Sequence, residues 1–436
     1  MSANIFIYDE FNPEDTAMMQ ALYSRSPKSV TEHVKKVKQA GSGKFMEKFY
    51  VQYGHRSIAD CGSTTIFIEG ISMLGDKALQ DWPLYSGQET STRYIDMSKQ
   101  AIVDPLGTPD SRQILKDWMR FYIKNQEVVN KHLRTKHPKE EHQEEATYEK
   151  AIQARTFDIM RGFLPAGITT QLSWHTNLRQ AKDKISLLQR HPLPEVKKTA
   201  EDILKRLKQK YPNSFSHEDY QEQKEYWTYL MNEYNYYYPK TLNPDFDYKN
   251  NIQPQELKQY KDIIEKRPPK TNLPHFLTEL GNIIFDFNLD FGSFRDIQRH
   301  RNGVCRMPLL TTKLNFNSWY LEQLPEQTKE EAKNLIDIQK QRIEALETSD
   351  QNKQYYIAMG FNVPCRVSYG LPALVYVIEL RASKAVHPTL RDVAHKMHYT
   401  LKELFPDLVL HTDLEPSNWD IKRGSQDIIE KIKKHT

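Results

Sequence analysis

Ser63-Thr-Thr-Ile-Phe-Ile-Glu-Gly-Ile-Ser72 and Gly281-Asn-Ile-Ile-Phe-Asp-Phe-Asn-Leu-Asp290 decide the reading of this chain. Both are short runs rich in β-branched and aromatic residues, and each leads into a stretch with helical spacing. With Ile66-Phe67 laid over Ile284-Phe285, 218 residues further on, Gln80 falls on Gln298 without a gap. A second match follows in the same order. Residues 197–212 lie over 391–406, 194 residues on, with Ala200 on Ala394, Leu207 on Leu401, Lys208 on Lys402 and Tyr211 on Phe405. Both of these segments stop at proline, as helices do. Two ordered matches predict a tandem repeat, chance likeness between amphipathic helices being the alternative. The expected fold is therefore α+β, with two tandem units forming a pseudo-dimer, one over 1–245 and one over 255–436. The join is placed at 240–255, where Asn243-Pro-Asp and Gln253-Pro254 mark a turn-rich stretch. The charge-dense stretch 137–145 reads as a solvated insertion in the first copy.

Composition narrows the chemistry. The chain has 436 residues, enough for two domains or one large one. Its 16 glycines are few for such a length, which argues against glycine-built phosphate cradles. Gly41-Ser-Gly-Lys-Phe45 fails as a phosphate loop, because Lys38 stands where the first glycine belongs and Phe45 where Ser or Thr belongs. A net charge of +4 from 61 basic and 57 acidic residues describes a mixed surface, not a nucleic-acid polycation. Three widely spaced cysteines make no disulfide framework, and no Cys-x-x-Cys or His-Glu-x-x-His suggests a metal. The longest apolar run, 371–380, is too short to span a bilayer, and Met1-Ser-Ala-Asn4 does not open a signal peptide. The expectation is a soluble cytoplasmic protein without nucleic-acid or membrane partners.

Two motifs carry chemistry. Ser86-Gly-Gln-Glu-Thr-Ser-Thr-Arg-Tyr94 gathers hydroxyls around Glu89 and Arg93. Hydroxyls and a forked guanidinium suit a phosphate, although an ordinary polar loop has the same composition. At the matching place in the second copy stands Arg299-His300-Arg301, which suits a diphosphate or, equally, a solvated basic patch. The tyrosines of 226–238 read as a packing seam rather than a stacking platform.

Gln298-Arg-His-Arg301 resembles one end of the signature of the flavin-dependent thymidylate synthases. Ser86, Glu89, Ser91, Arg93 and Tyr94 resemble its other end, with Gln88 in place of Asn. Gly54-His-Arg-Ser-Ile-Ala-Asp60, Leu164-Pro165, Asn177-Leu-Arg179, Pro194-Glu-Val-Lys197, Val363-Pro364 and His387-Pro-Thr-Leu-Arg391 resemble further segments of the family. The signature is split. Asp81-Trp-Pro83 replaces Arg-His-Arg in the first copy, and Val304, Arg306, Met307, Leu309 and Thr311 replace the phosphate loop in the second.

The resemblance implies an α+β enzyme that methylates dUMP to dTMP with FAD, NADPH and methylenetetrahydrofolate. It implies that Ser86, Gln88, Glu89, Ser91 and Arg93 hold the nucleotide, with Arg391 completing that pocket. It implies that Arg299, His300 and Arg301 hold flavin phosphates together with His55, Asn177 and Arg179. No side chain is assigned as a catalytic nucleophile and no metal is expected. Two chains would pair as a homodimer, imitating the family's tetramer. A flavoenzyme on another pyrimidine nucleotide and a non-catalytic nucleotide-binding homologue are the alternatives.

Overall fold

The computed structural model describes residues 10–24, 26, 29–40, 56–93, 95–141, 143–215, 218–239 and 246–415. Its strands are β1 (Ser63–Ser72), β2 (Ser86–Glu89), β3 (Thr169–Asn177), β4 (Phe246–Asn250), β5 (Asn282–Asp290), β6 (Gly303–Cys305) and β7 (Asn362–Gly370). Its main helices are α1 (Pro13–Tyr23), α2 (Val30–Ala40), α3 (Met73–Gln80), α4 (Pro109–Lys136), α5 (Glu145–Met160), α6 (Leu178–Leu188), α7 (Pro194–Lys210), α8 (Gln221–Tyr234), α9 (Phe291–Ile297), α10 (Glu326–Glu344), α11 (Leu371–Arg381) and α12 (Pro388–Leu404). The architecture is α+β, as expected. The described residues form two compact units assembled from separated stretches. The first takes those within 1–71, 75–89 and 170–235, and the second those within 72–74, 90–169 and 236–436. The sequence division at 240–255 follows the repeat and not these units.

In the first unit the sheet runs β1-β3-β2. Helix α7 begins with Pro194, whose fixed φ suits a first turn, and buries Val196, Ala200, Ile203 and Leu207 at helical spacing. Helices α1 and α2 join through Met18, Met19, Val34 and Val37. In the second unit the sheet runs β4-β5-β7-β6. Its core gathers Ile283, Phe285 and Phe287 of β5 with Cys365, Val367 and Tyr369 of β7, which alternate with half-buried neighbours. Helix α4 starts on a capping box between Thr108 and Ser111.

The pairing itself recurs. Ser86 faces His175 and Gly87 faces Trp174 across β2 and β3. Val304 and Cys305, 218 residues on, face Ser368 and Val367, 193 residues on. The Met73 amide donates to the Ile168 carbonyl at 3.0 Å, and the Phe291 amide to the Phe361 carbonyl at 3.0 Å, with the same two offsets. Helices α7 and α12 each span 17 residues from a proline and close on Tyr211 and Phe405 with φ of −132° and −136°.

One detail departs from the ungapped overlay. β1 has ten residues where β5 has nine, and within β1 Gly70 adopts φ +76°. A left-handed glycine is the usual device for inserting one residue into a strand, and each such insertion flips the side chains before it. The exposed residues of β1 are accordingly Thr65, Phe67 and Glu69, while Thr64, Ile66 and Ile68 are half-buried. Thr65 bonds His175 at 3.0 Å, on the exposed face of β3. Before Gly70 the match with β5 is therefore 219, and Ile66 answers to Phe285.

Candidate functional site

In the first unit, α3 and β2 converge on a dry ion cluster. Lys77 Nζ lies 2.6 Å from Glu89 and 3.4 Å from Asp76, with all three side chains almost wholly buried. Gln80 Nε2 donates to Glu89 at 2.6 Å and to Asp76 at 2.8 Å. Buried charges survive only when paired and hydrogen-bonded, and this set satisfies that demand. Glu89 is thus held by neighbours within the unit. Ser86 and Gln88 are exposed on β2, and the Gln88 amide donates to Ser173 Oγ at 3.2 Å. Asn177 caps α6 by accepting from the Gln180 amide at 2.8 Å. Arg179 donates to Asp60 at 2.7 Å and sits 3.5 Å from Asp183. His55 and Tyr94 lie outside the described residues.

Asp81-Trp-Pro83 stands where the family has Arg-His-Arg, and it is built around a lysine. Lys184 Nζ donates to the Asp81 carbonyl at 2.8 Å and lies 5.8 Å from the Trp82 ring. Burial, opposed by the charge of Asp81, pulls its pKa down to about 8.

The second unit contains a denser arrangement. Arg93 grips Asp158 with two donors, at 2.6 and 3.2 Å, and donates to the Ala385 carbonyl at 3.2 Å. The Arg93 amide donates to Ser91 Oγ at 3.3 Å. Arg295 of α9 donates to Thr92 at 3.1 Å. Arg381, the last residue of α11, donates to His300 Nε2 at 2.7 Å and to the Asp296 carbonyl at 2.5 Å. Arg299 is exposed and Arg301 half-exposed.

Electrostatics tie these groups together. Burial drives the His300 pKa down to about 3, with Arg381, Arg301 and Arg299 adding to it against Asp296, so the imidazole is neutral at pH 7. Burial pushes Asp296 up, but Arg381, Arg93, Arg161 and Arg299 outweigh it and hold the carboxyl at about 2. Burial, with Arg161, Arg93 and Arg155, also keeps His387 neutral. Seven arginines (93, 155, 161, 295, 299, 301 and 381) thus gather with three aspartates (158, 290 and 296), a net cationic set.

The structure brings Arg93 of the first motif into one field with Arg299, His300 and Arg301 of the second. Arg391 stands apart within the same unit. It is buried, donates to the Ala382 carbonyl at 2.7 Å and the Glu415 carbonyl at 2.5 Å, and lies 3.4 Å from Asp413. His395 and His398 bond Asp413 and Thr412 at 2.9 Å each, so this end of the described chain is strapped to α12.

Sequence reading missed Arg381, Asp158 and Arg161. The available signal was Asp158-Ile-Met-Arg161 inside the apolar stretch around α5, because charges placed there must find partners.

The donor set fits the phosphates of a flavin dinucleotide or of a nucleotide, since planar guanidiniums bind phosphate oxygens in pairs. Comparisons with known proteins agree. Residues 7–213 match the family described as thymidylate synthase complementing protein. A UPF0159 protein of Chlamydia muridarum is 24% identical over 419 residues, covering 83% of this chain and 79% of the relative. UPF0159 protein Ta1429 of Thermoplasma acidophilum is 22% identical over 472 residues, covering 90% of this chain and 94% of the relative. Both matches span the two copies, and neither name states an activity. Through residues 7–213, the chain belongs to the thymidylate synthase complementing protein family.

Proposed function

We propose that this protein is a flavin-dependent enzyme of the thymidylate synthase type. It would methylate dUMP to dTMP with FAD, methylenetetrahydrofolate as carbon donor and NADPH as reductant. The arginine cluster of the second unit carries this reading. Seven guanidiniums against three carboxylates favour a polyanion, and His300, kept neutral, brings no further charge to be desolvated. Arg299 and Arg301 would hold flavin phosphates, while Ser91 and Arg93 would hold the nucleotide phosphate, with Asp158 fixing the Arg93 fork. Bound flavin would supply hydride transfer, and the protein supplies position and charge. Ser91 Oγ accepts from the Arg93 amide, which suits a phosphate ligand better than a nucleophile.

The repeated strand pairing supports a tandem duplication. A homodimer of such chains would hold four related units. A second reading, a nucleotide-binding homologue without catalysis, is favoured by the internal partners already held by Glu89, Asn177, Arg179 and Arg391.

The test is to purify the full chain, record its visible spectrum and identify the small molecules released on denaturation. A flavin spectrum, lost in Arg299→Ala, is the expected result. Arg93→Ala should weaken dUMP binding about ten- to a hundredfold in calorimetry, the loss of one charge-assisted contact of about 1.5–3 kcal/mol. No flavin together with tight dUMP binding would favour the second reading, and neither ligand would overturn both.

A further inference from the structure

The first unit carries a groove of about 540 Å³ between β1 and α7. Its floor is the half-buried row Thr64, Ile66 and Ile68, and its wall includes Ile203, Leu207 and Tyr211. In the second unit the matching row Ile283, Phe285 and Phe287 is buried and lies under a neighbouring strand. There β4 pairs antiparallel with β5, placing Phe246 opposite Phe287, Tyr248 opposite Phe285 and Asn250 opposite Ile283. The Phe246 ring lies 5.5 Å from Phe285 and 6.4 Å from Phe287, and the Tyr248 ring 6.3 Å from Phe285. Two aromatic rings of an edge strand thus stand where the first unit has open space.

The sequence names an occupant. Phe246 precedes the helix-opening Pro254 by eight residues, and Ile5 precedes Pro13, which opens α1, by the same eight. Laid over Phe246-Asp-Tyr-Lys-Asn250, the segment Ile5-Phe-Ile-Tyr-Asp9 puts apolar side chains at the two positions that face the β5 row. The path of the chain agrees. A Cβ on Gly62, the residue before β1, would meet the Pro13 carbonyl oxygen at 2.2 Å, and one on Gly281, the residue before β5, would meet that of Asn251 at 2.6 Å. In both units the chain entering the first helix passes beside the start of the long strand.

We propose that the groove is the docking site of this chain's own segment Ile5-Phe-Ile-Tyr-Asp9, added antiparallel to β1 with Ile5 against Ile68 and Ile7 against Ile66. Main-chain bonds along the outer edge of β1 give the affinity, and the two isoleucines give the register. The segment lies outside the described residues, and the inference does not depend on the flavin or nucleotide reading.

Hydrogen exchange on the full-length protein tests it. β1 amides should be protected in the wild type, and Ile5→Asp/Ile7→Asp should speed their exchange at least tenfold, while Phe6→Ser, on the opposite face, should leave it unchanged. Equal exchange in wild type and double variant overturns the proposal. So does protection that grows with protein concentration, which would assign the edge to a second copy. Should the double variant fail to fold, Ile7→Cys with Ile66→Cys decides. An intrachain disulfide located by mass spectrometry supports the proposal, and its absence under oxidising conditions overturns it.

Discussion

Gln80 and Gln298 occupy the same place in two strand-to-helix steps, yet one amide serves two carboxylates and the other a thioether. In the first unit Gln80 bonds Glu89 and Asp76 beside Lys77. In the second, Gln298 Nε2 lies 3.6 Å from Met307 Sδ, and Arg295, in the position of Lys77, bonds Thr92. The position of the pair is kept while its charge is exchanged for an apolar contact. Packing therefore tolerates either chemistry at this corner, and the charged version marks where a side chain was held for more than volume.

Glu89→Leu should be the most damaging single change, because it leaves Lys77 buried with only the 3.4 Å contact to Asp76. A loss of about 3–5 kcal/mol is expected in urea denaturation. Lys77→Met combined with Glu89→Leu, which imitates the apolar corner of the second unit, should recover most of it. If the double variant is no better than the single, the two corners are not interchangeable. Gln80→Leu should cost about 2–3 kcal/mol, since two charge-assisted bonds disappear.

Acid probes the other unit. The Asp296 carboxyl is held at about 2 against 3.8, so its stabilisation is full above about pH 4 and disappears as the pH falls towards 2. Integrated over that window it is worth about 2 kcal/mol. His300, held at about 3 against 6.5, binds its proton later than in the unfolded chain, so it too removes stability as the pH falls from 6.5 towards 3. Both act in the same direction, and stability followed from pH 7 to 3 should decline steadily. Arg381→Gln should weaken the Asp296 share. The smallest effect belongs to Gln298→Leu, about 0.5 kcal/mol, because a thioether is a weak acceptor. A loss equal to that of Gln80→Leu would erase the contrast between the corners.

Much of this was legible beforehand because strands and helices announce themselves by period. The runs at 63–72 and 281–290 formed strands, and the proline-bounded helices came out with matching lengths. The one-residue slip at Gly70 was not legible, since an ungapped overlay has no means of seeing a left-handed glycine. The candidate site was half legible. Arg93, Arg299, His300 and Arg301 do share one field, but their anchors Asp158, Arg161 and Arg381 come from distant helices whose sequence carries no local motif. Asn177 met the demands of its own helix end, a role that spacing alone does not separate from ligand binding.

The strap at Arg391 has a mechanical consequence. Side chains of α12 grip main-chain or hydroxyl groups at Thr412, Asp413 and Glu415 one after another, through His398, His395 and Arg391. A pulling force applied beyond Glu415 would load these bonds in series and not in parallel. The end would peel residue by residue at low force, starting at the Arg391–Glu415 contact, whereas the strands of β5 and β7, pulled along their length, would have to shear all at once.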